Sequence, residues 1–123
     1  MRIDFNRTLI DFTGRKILDK DGSTLTLRKA ASFALVAVLP GDERASLEDK
    51  LVRETLAADI WRNPARETTL EEAVLVKNRV NLTFPSPLTV SAAVRLLEGK
   101  DDPQPMNEDD DGKVVAMRQQ GEA

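Results

Sequence analysis

Leu27, Ala30, Ala31, Ala34, Leu35, Val38 and Leu39 stand at offsets of 0, 3, 4, 7, 8, 11 and 12 along the chain. That spacing lines one face of a 3.6-residue repeat and predicts an amphipathic helix. Thr26 is placed to cap its start, and Pro40-Gly41-Asp42 ends it, because proline cannot extend the hydrogen-bond ladder and disfavours helix in the residue before it. The opposite side also carries Phe33, Val36 and Ala37, which predicts a central helix covered on more than one side.

Three further helices follow. Ser46, with Asp49 three residues on, opens the second in the manner of a capping box. Its buried stripe is expected to run through Leu47, Leu51, Val52, Leu56, Ile60 and Trp61 before Asn63-Pro64 stops it. The third starts at Thr68 or Thr69, with Glu71 or Glu72 as the reciprocal partner, and should turn Leu70, Ala73, Val74, Val80 and Leu82 inward. Ser86 and Pro87 give the fourth a cap and an N1 proline, where a missing N–H costs least. Leu88, Ala92, Val94, Leu96 and Leu97 make its apolar face, and Gly99 its C′ residue.

Ahead of the first helix the period shortens. Thr8–Phe12 alternates as a half-buried strand does, Thr13-Gly14 turns, and Arg15–Leu18 returns. Asp21-Gly22 then makes a second turn, since glycine tolerates positive φ, and Thr24–Thr26 pairs briefly. The segment reads as a β-hairpin or short meander, with no internal repeat. Beyond Gly99 the chain is acidic, carries two prolines and has no apolar periodicity before Val114. The expected architecture is α+β: an N-terminal β-hairpin packed on a bundle of about four short helices, residues 1–99 forming one globular domain and residues 100–123 a disordered acidic tail.

Composition narrows the chemistry. The 123 residues include no Cys and no His, which rules out disulfides and thiolate metal sites and removes the commonest general base and metal ligand at neutral pH. The net charge of −3 is uneven: residues 100–123 hold seven acids and three bases, leaving the body at +1. A nearly neutral body has no general electrostatic footprint for nucleic acid. No apolar run approaches the roughly 20 residues of a spanning helix, and Met1–Arg7 has no apolar core of a secretory signal. No membrane association, cofactor or enzymatic activity is expected.

Several segments resemble a group of small bacteriophage and prophage accessory proteins. They are Arg2-Ile3-Asp4-Phe5, the Asp-Gly turn feeding Leu25-Thr26-Leu27, and Leu39-Pro40-Gly41-Asp42-Glu43. Lys50 to Trp61, and Pro87 to Gly99, belong with them. The likeness covers roughly residues 2–99; its motifs are caps and turns, and it carries over no functional residues. It implies a non-enzymatic protein–protein interaction module in the host cytoplasm, a virion (head or tail) assembly chaperone or other accessory. The alternative is a phage-encoded inhibitor of a host defence or nucleic-acid-handling complex, its acidic tail imitating phosphate charge.

Four sets of residues invite a functional reading. Adjacent acids, Glu48-Asp49 and Glu71-Glu72, suit acid/base work, but each pair opens a helix, where negative charge complements the macrodipole. Asp19, Asp21 and Ser23 imitate the start of a calcium loop, yet Thr24 and Ala30 occupy the places that need glycine and a bidentate glutamate. Arg2, Arg7, Arg15, Lys16, Arg28 and Lys29 form a possible basic patch, though only Phe5 and Phe12 accompany them as stacking aromatics. Candidate partner-binding residues are Trp61, an interface-prone type that a small core also accommodates, and Val114, Val115 and Met117 in the tail. Truncation at Gly99 is expected to leave the thermal midpoint nearly unchanged while weakening partner capture. Melting curves and binding isotherms of the two forms check both halves.

Overall fold

Thr26 does cap a helix, and the route the chain takes into it organises the N-terminal quarter of the protein. The computed structural model describes residues 1–100 of the 123. In order the elements are β1 (Arg2–Asp4), α1 (Leu27–Val36), a short 3-10 turn (Asp42–Arg44), α2 (Leu47–Arg62), β2 (Ala65–Glu67), α3 (Leu70–Thr83) and α4 (Pro87–Leu97). The α+β architecture expected from the sequence is present, with N-terminal β structure packed on four helices. The expectations for the tail beyond Lys100 lie outside the described residues.

Between β1 and α1 the chain makes both predicted turns. Antiparallel bridges join Ile10 to Lys16 across the first and Leu18 to Thr24 across the second, while Thr8 meets Thr26. The backbone bonds close a ring. Leu9 N–H donates to the Leu25 carbonyl, Leu25 N–H to Ile17, and Ile17 N–H back to Leu9, each at 2.9 Å. Leu9, Ile17 and Leu25 are eight residues apart, and so are Asp11 and Asp19, and Gly14 and Gly22. In both turns the glycine N–H donates to the aspartate carbonyl at 3.0 Å, with the glycine at φ +87°. An eight-residue repeat is therefore present, which corrects the reading of none. The apolar centre recurs in all three units and the Asp-x-x-Gly turn in the first two, and the third unit replaces its turn with the start of α1.

That entry satisfies every orphan donor of the first helical turn. Leu27 N–H donates to Arg7 O at 2.9 Å and Arg28 N–H to Phe5 O at 2.7 Å. Lys29 N–H reaches Thr26 Oγ1 and Ala30 N–H the Thr26 carbonyl. β1 itself pairs antiparallel with β2, the three residues that link α2 to α3, with Ile3 opposite Arg66. This long-range pairing was not anticipated from sequence, because three-residue strands carry no periodicity to read.

Helix α1 stops earlier than its stripe predicts. Ala37 already has extended geometry at ψ 145°, and Val38 is 93 % exposed. The cause is Arg79 of α3, whose Nε donates to Ala34 O at 3.1 Å and Nη2 to Ala37 O at 2.8 Å. A guanidinium occupying those carbonyls takes the place of a further helical turn. Asp42 then receives Leu39 N–H at 2.8 Å, drawing the chain into the 3-10 turn.

The expected caps are present, except that at Ser46 only half of the capping box forms, because the Asp49 carboxylate makes no return bond to the Ser46 N–H. Ser46 accepts Asp49 N–H, Ser86 accepts Leu88 N–H, and Thr69 and Glu72 form a complete capping box. Gly99, at φ +77°, closes α4: its N–H goes to Leu96 O and that of Lys100 to Arg95 O, the paired bonds of a Schellman motif. The core gathers Phe5, Leu9, Leu27, Leu35, Ile60, Val76, Val80 and Leu97 around α1, which packs against α2, α3 and α4. Several stripe assignments are overturned. Leu47, Leu51, Val52 and Trp61 of α2, Leu70, Val74 and Leu82 of α3, and Leu88 of α4 are exposed. So are Phe33 and Val36, so the second apolar side of α1 is not covered.

Leu35 is buried to 1 % exposure in the last turn of α1. Leu35→Ala should destabilise the fold by about 2–5 kcal/mol through lost burial and the cavity left behind. Denaturant unfolding of the purified variant measures it.

Candidate functional site

Helix α2 runs antiparallel to α1. Ser32 Oγ donates to Ala57 O at 3.4 Å, Arg28 to Trp61 O, and Val36 lies level with Arg53 and Glu54. At a rise of about 1.5 Å per residue, the 16 residues of α2 reach about 24 Å against about 15 Å for the ten of α1. The first turns of α2 therefore extend past the end of α1 and lie beside the 37–45 segment. Leu56, Ala57 and Ile60 attach α2 to the core. Its remaining apolar residues face away.

The seam between the two helices carries exposed apolar side chains from both. At one end Trp61, 43 % exposed, stacks with Phe33 at a centroid distance of 6.4 Å and an interplanar angle of 23°. The Arg28 guanidinium lies over the indole, 4.3 Å from its centroid, a cation–π contact. At the other end a groove of about 400 Å³ opens between the Leu35–Val38 segment and Lys50, Arg53 and Glu54. Trp61, named from sequence as a partner-binding candidate, is at this surface. Phe33, Val36 and Leu51 were assigned to the core, and their exposure follows from the short α1 and the overhanging α2.

One electrostatic knot holds the floor of the groove. Asp42 accepts from Arg79 Nη1 at 3.0 Å and Nη2 at 3.1 Å, and from Arg53 Nη1 at 3.2 Å. The Arg79 hydrogen bonds, with the Leu39 N–H and Arg53, hold the Asp42 carboxyl well below the usual carboxylate range. This is a structural arrangement: Arg79 divides its hydrogen bonds between the end of α1 and Asp42, and Arg53 joins the same carboxylate.

The other candidates resolve into local structure. Burial pushes Glu72 upward, but the Thr69 N–H and the Arg66 guanidinium outweigh it and hold its carboxyl below the usual range. Asp21 accepts both N–H and Oγ–H of Ser23, which lowers its pKa and closes a turn. The basic residues are not gathered into one cradle. Arg2 donates to Ala65 O at 3.3 Å, Arg28 serves Trp61, and Lys29 Nζ reaches Ser23 Oγ at 3.3 Å. Arg15 lowers Asp11, whose chief partner is the Thr13 hydroxyl, while Arg7 contributes its carbonyl to α1 and Lys16 is exposed. Val114, Val115 and Met117 lie outside the described residues. Among the described residues no cluster of acids is placed to hold a metal ion, and no helix is long and apolar enough to cross a membrane.

Comparison of the chain with protein-family models, with characterised proteins and with solved structures returns no match.

The knot makes the surface sensitive to acid. A folded-state pKa depressed below the ordinary 3.8 means that Asp42 stabilises the fold above that value and loses its contribution as pH falls beneath it. Thermal melts between about pH 7 and about pH 2 should show wild type losing midpoint steeply below about pH 4. Asp42→Asn should start lower at neutral pH and decline less steeply.

Proposed function

We propose that this chain is a phage- or prophage-encoded accessory protein that acts in the host cytoplasm by binding protein, without catalysis, during head or tail assembly. The observation that carries the binding reading is the α1–α2 face. Phe33 is 51 % exposed, Leu51 55 % and Leu47 73 %, on two helices whose opposite sides already anchor them in the core. Exposed apolar residues scattered singly are ordinary; several on one side of a helix pair, with a Trp stacked among them, have the composition of an interface hot spot. Stability alone gives no reason for leucine at those positions.

The absence of Cys and His, and the commitment of the best-placed carboxylates to caps and ion pairs, support a non-enzymatic role. The assignment to virion assembly rests on the sequence resemblance described above. Affinity capture of the full chain from cells producing the phage, followed by reconstitution with the purified partner, tests the proposal. A head or tail protein is expected, bound with at least about tenfold lower affinity by Trp61→Ala or Leu51→Asp, the usual scale of a hot-spot loss. Recovery of a host nucleic-acid-handling complex instead, or binding indifferent to both substitutions, would overturn it.

A further inference from the structure

The solvent side of α2 has an order that exposure alone does not require. Leu47, Leu51, Glu54, Ala58 and Trp61 follow one another at intervals of four, three, four and three residues. That alternation is the seam of a paired helix, in which apolar positions recur every 3.5 residues on average. The seam centres about 180° around the helix from Leu56 and Ile60, at 100° per residue. Helix α2 therefore has two apolar stripes, one anchored in the core and one whose first half, Leu47 and Leu51, is exposed, while Ala58 is half-buried and Trp61 is partly covered by Phe33 and Arg28.

The charges on the seam identify its occupant. Glu54 interrupts the stripe at its middle, and Lys50, one turn earlier, flanks it. Both are exposed, and neither side chain makes an ion pair or hydrogen bond among the described residues, whereas neighbouring Arg53 is held by Asp42. Suppose α2 packs against an identical α2 running in the opposite direction. The seam positions then interleave so that Leu47 meets Ala58 of the other copy, and Leu51 lies beside the two-fold axis. In that register Glu54 falls beside the other copy's Lys50, and the reciprocal pair forms on the far side of the axis. A parallel pair would set Glu54 against Glu54. A self-complementary patch of this kind is what two-fold symmetry demands, and a lone charged residue in a seam commonly sets register and orientation.

We infer that the protein self-associates as a two-fold dimer through antiparallel pairing of α2, with Leu47, Leu51 and Ala58 as its dry seam and crossed Lys50–Glu54 ion pairs fixing the register. The inference rests on reading the α1–α2 face as an interface, and it names a second copy of the chain as an occupant. The overhang of α2 beyond α1 leaves its first turns accessible for such a pairing, and the adjacent Phe33, Val36 and Trp61 extend the apolar area on either side.

Sedimentation equilibrium of the full chain over a wide concentration range tests this directly. Wild type should show a reversible monomer–dimer equilibrium. Leu51→Asp should raise the dimer dissociation constant by about 30-fold or more, and at concentrations where both forms are monomeric its thermal midpoint should be nearly that of wild type, since Leu51 is not part of the core. Glu54→Lys and Lys50→Glu should each weaken the dimer, and the double exchange should restore it, because only a crossed arrangement re-forms both pairs. A chain that stays monomeric throughout overturns the dimer. So does a dimer that ignores Leu51→Asp, or one that the double exchange fails to rescue. If the monomeric chain still binds a virion protein and Leu51→Asp weakens that binding, the interaction module stands and self-association alone is rejected.

Discussion

Arg79 makes the architecture possible. A guanidinium with its residue 93 % removed from solvent needs partners for its donors, and here four of its five N–H groups have specific acceptors. Two go to the last carbonyls of α1 and two to Asp42, so a single side chain from α3 ends one helix and anchors the loop that leads to the next. Arg53 brings α2 to the same carboxylate. Replacing either ion alone would strand its partner in a poorly solvated place, which is costlier than the pair is favourable. The position at which α1 stops, the route of the 37–45 segment and the seating of α2 all follow from this contact, and with them the groove.

The other end of α1 is held by backbone carbonyls and the Thr26 hydroxyl. Phe5, Arg7 and Thr26 supply the acceptors for its first N–H groups, and the eight-residue units supply the geometry that delivers two of them. Arg95 Nη2, reaching Ile10 O at 2.7 Å, ties α4 to the same units. A helix only ten residues long is marginal in isolation. Its persistence is a tertiary effect, with orphan groups at both termini claimed by side chains or strands distant in sequence.

Caps were the most legible features of the sequence, because Ser46, Thr69, Ser86 and Gly99 act on groups within four residues of themselves. The extent of α1 was not legible, since what ends it lies 42 residues past Ala37. Pro40 and Gly41 suggested a later stop, and Val38 and Leu39 prolonged the apparent stripe. Pairing of β1 with β2 was hidden for the same reason of distance. Helix α2 misled in a different manner. Its two apolar stripes merge when projected as one, so Leu47 and Leu51 were read inward together with Leu56 and Ile60. Of the surface proposed for binding, Trp61 alone carried an interface reading in sequence, and there the core was favoured for it too; Trp61, Phe33, Val36 and Leu51 all looked like core until the length of α1 and the overhang of α2 placed them outside.

The ring formed by Leu9, Ile17 and Leu25 constrains how this part of the chain can change over evolutionary time. Each unit gives its central N–H to one neighbour and its carbonyl to the other, so the arrangement has no edge position at its centre to recruit a strand from another molecule. It also has no redundancy. A residue gained or lost between two of the centres and their flanking bridges would rotate the following side chains to the wrong face and open the circuit. The tips at Thr13-Gly14 and Asp21-Gly22 stand outside the circuit and accept length variation. Divergent versions of this domain would therefore differ in the size of those two tips while conserving the spacing of bridge, centre and bridge within each unit.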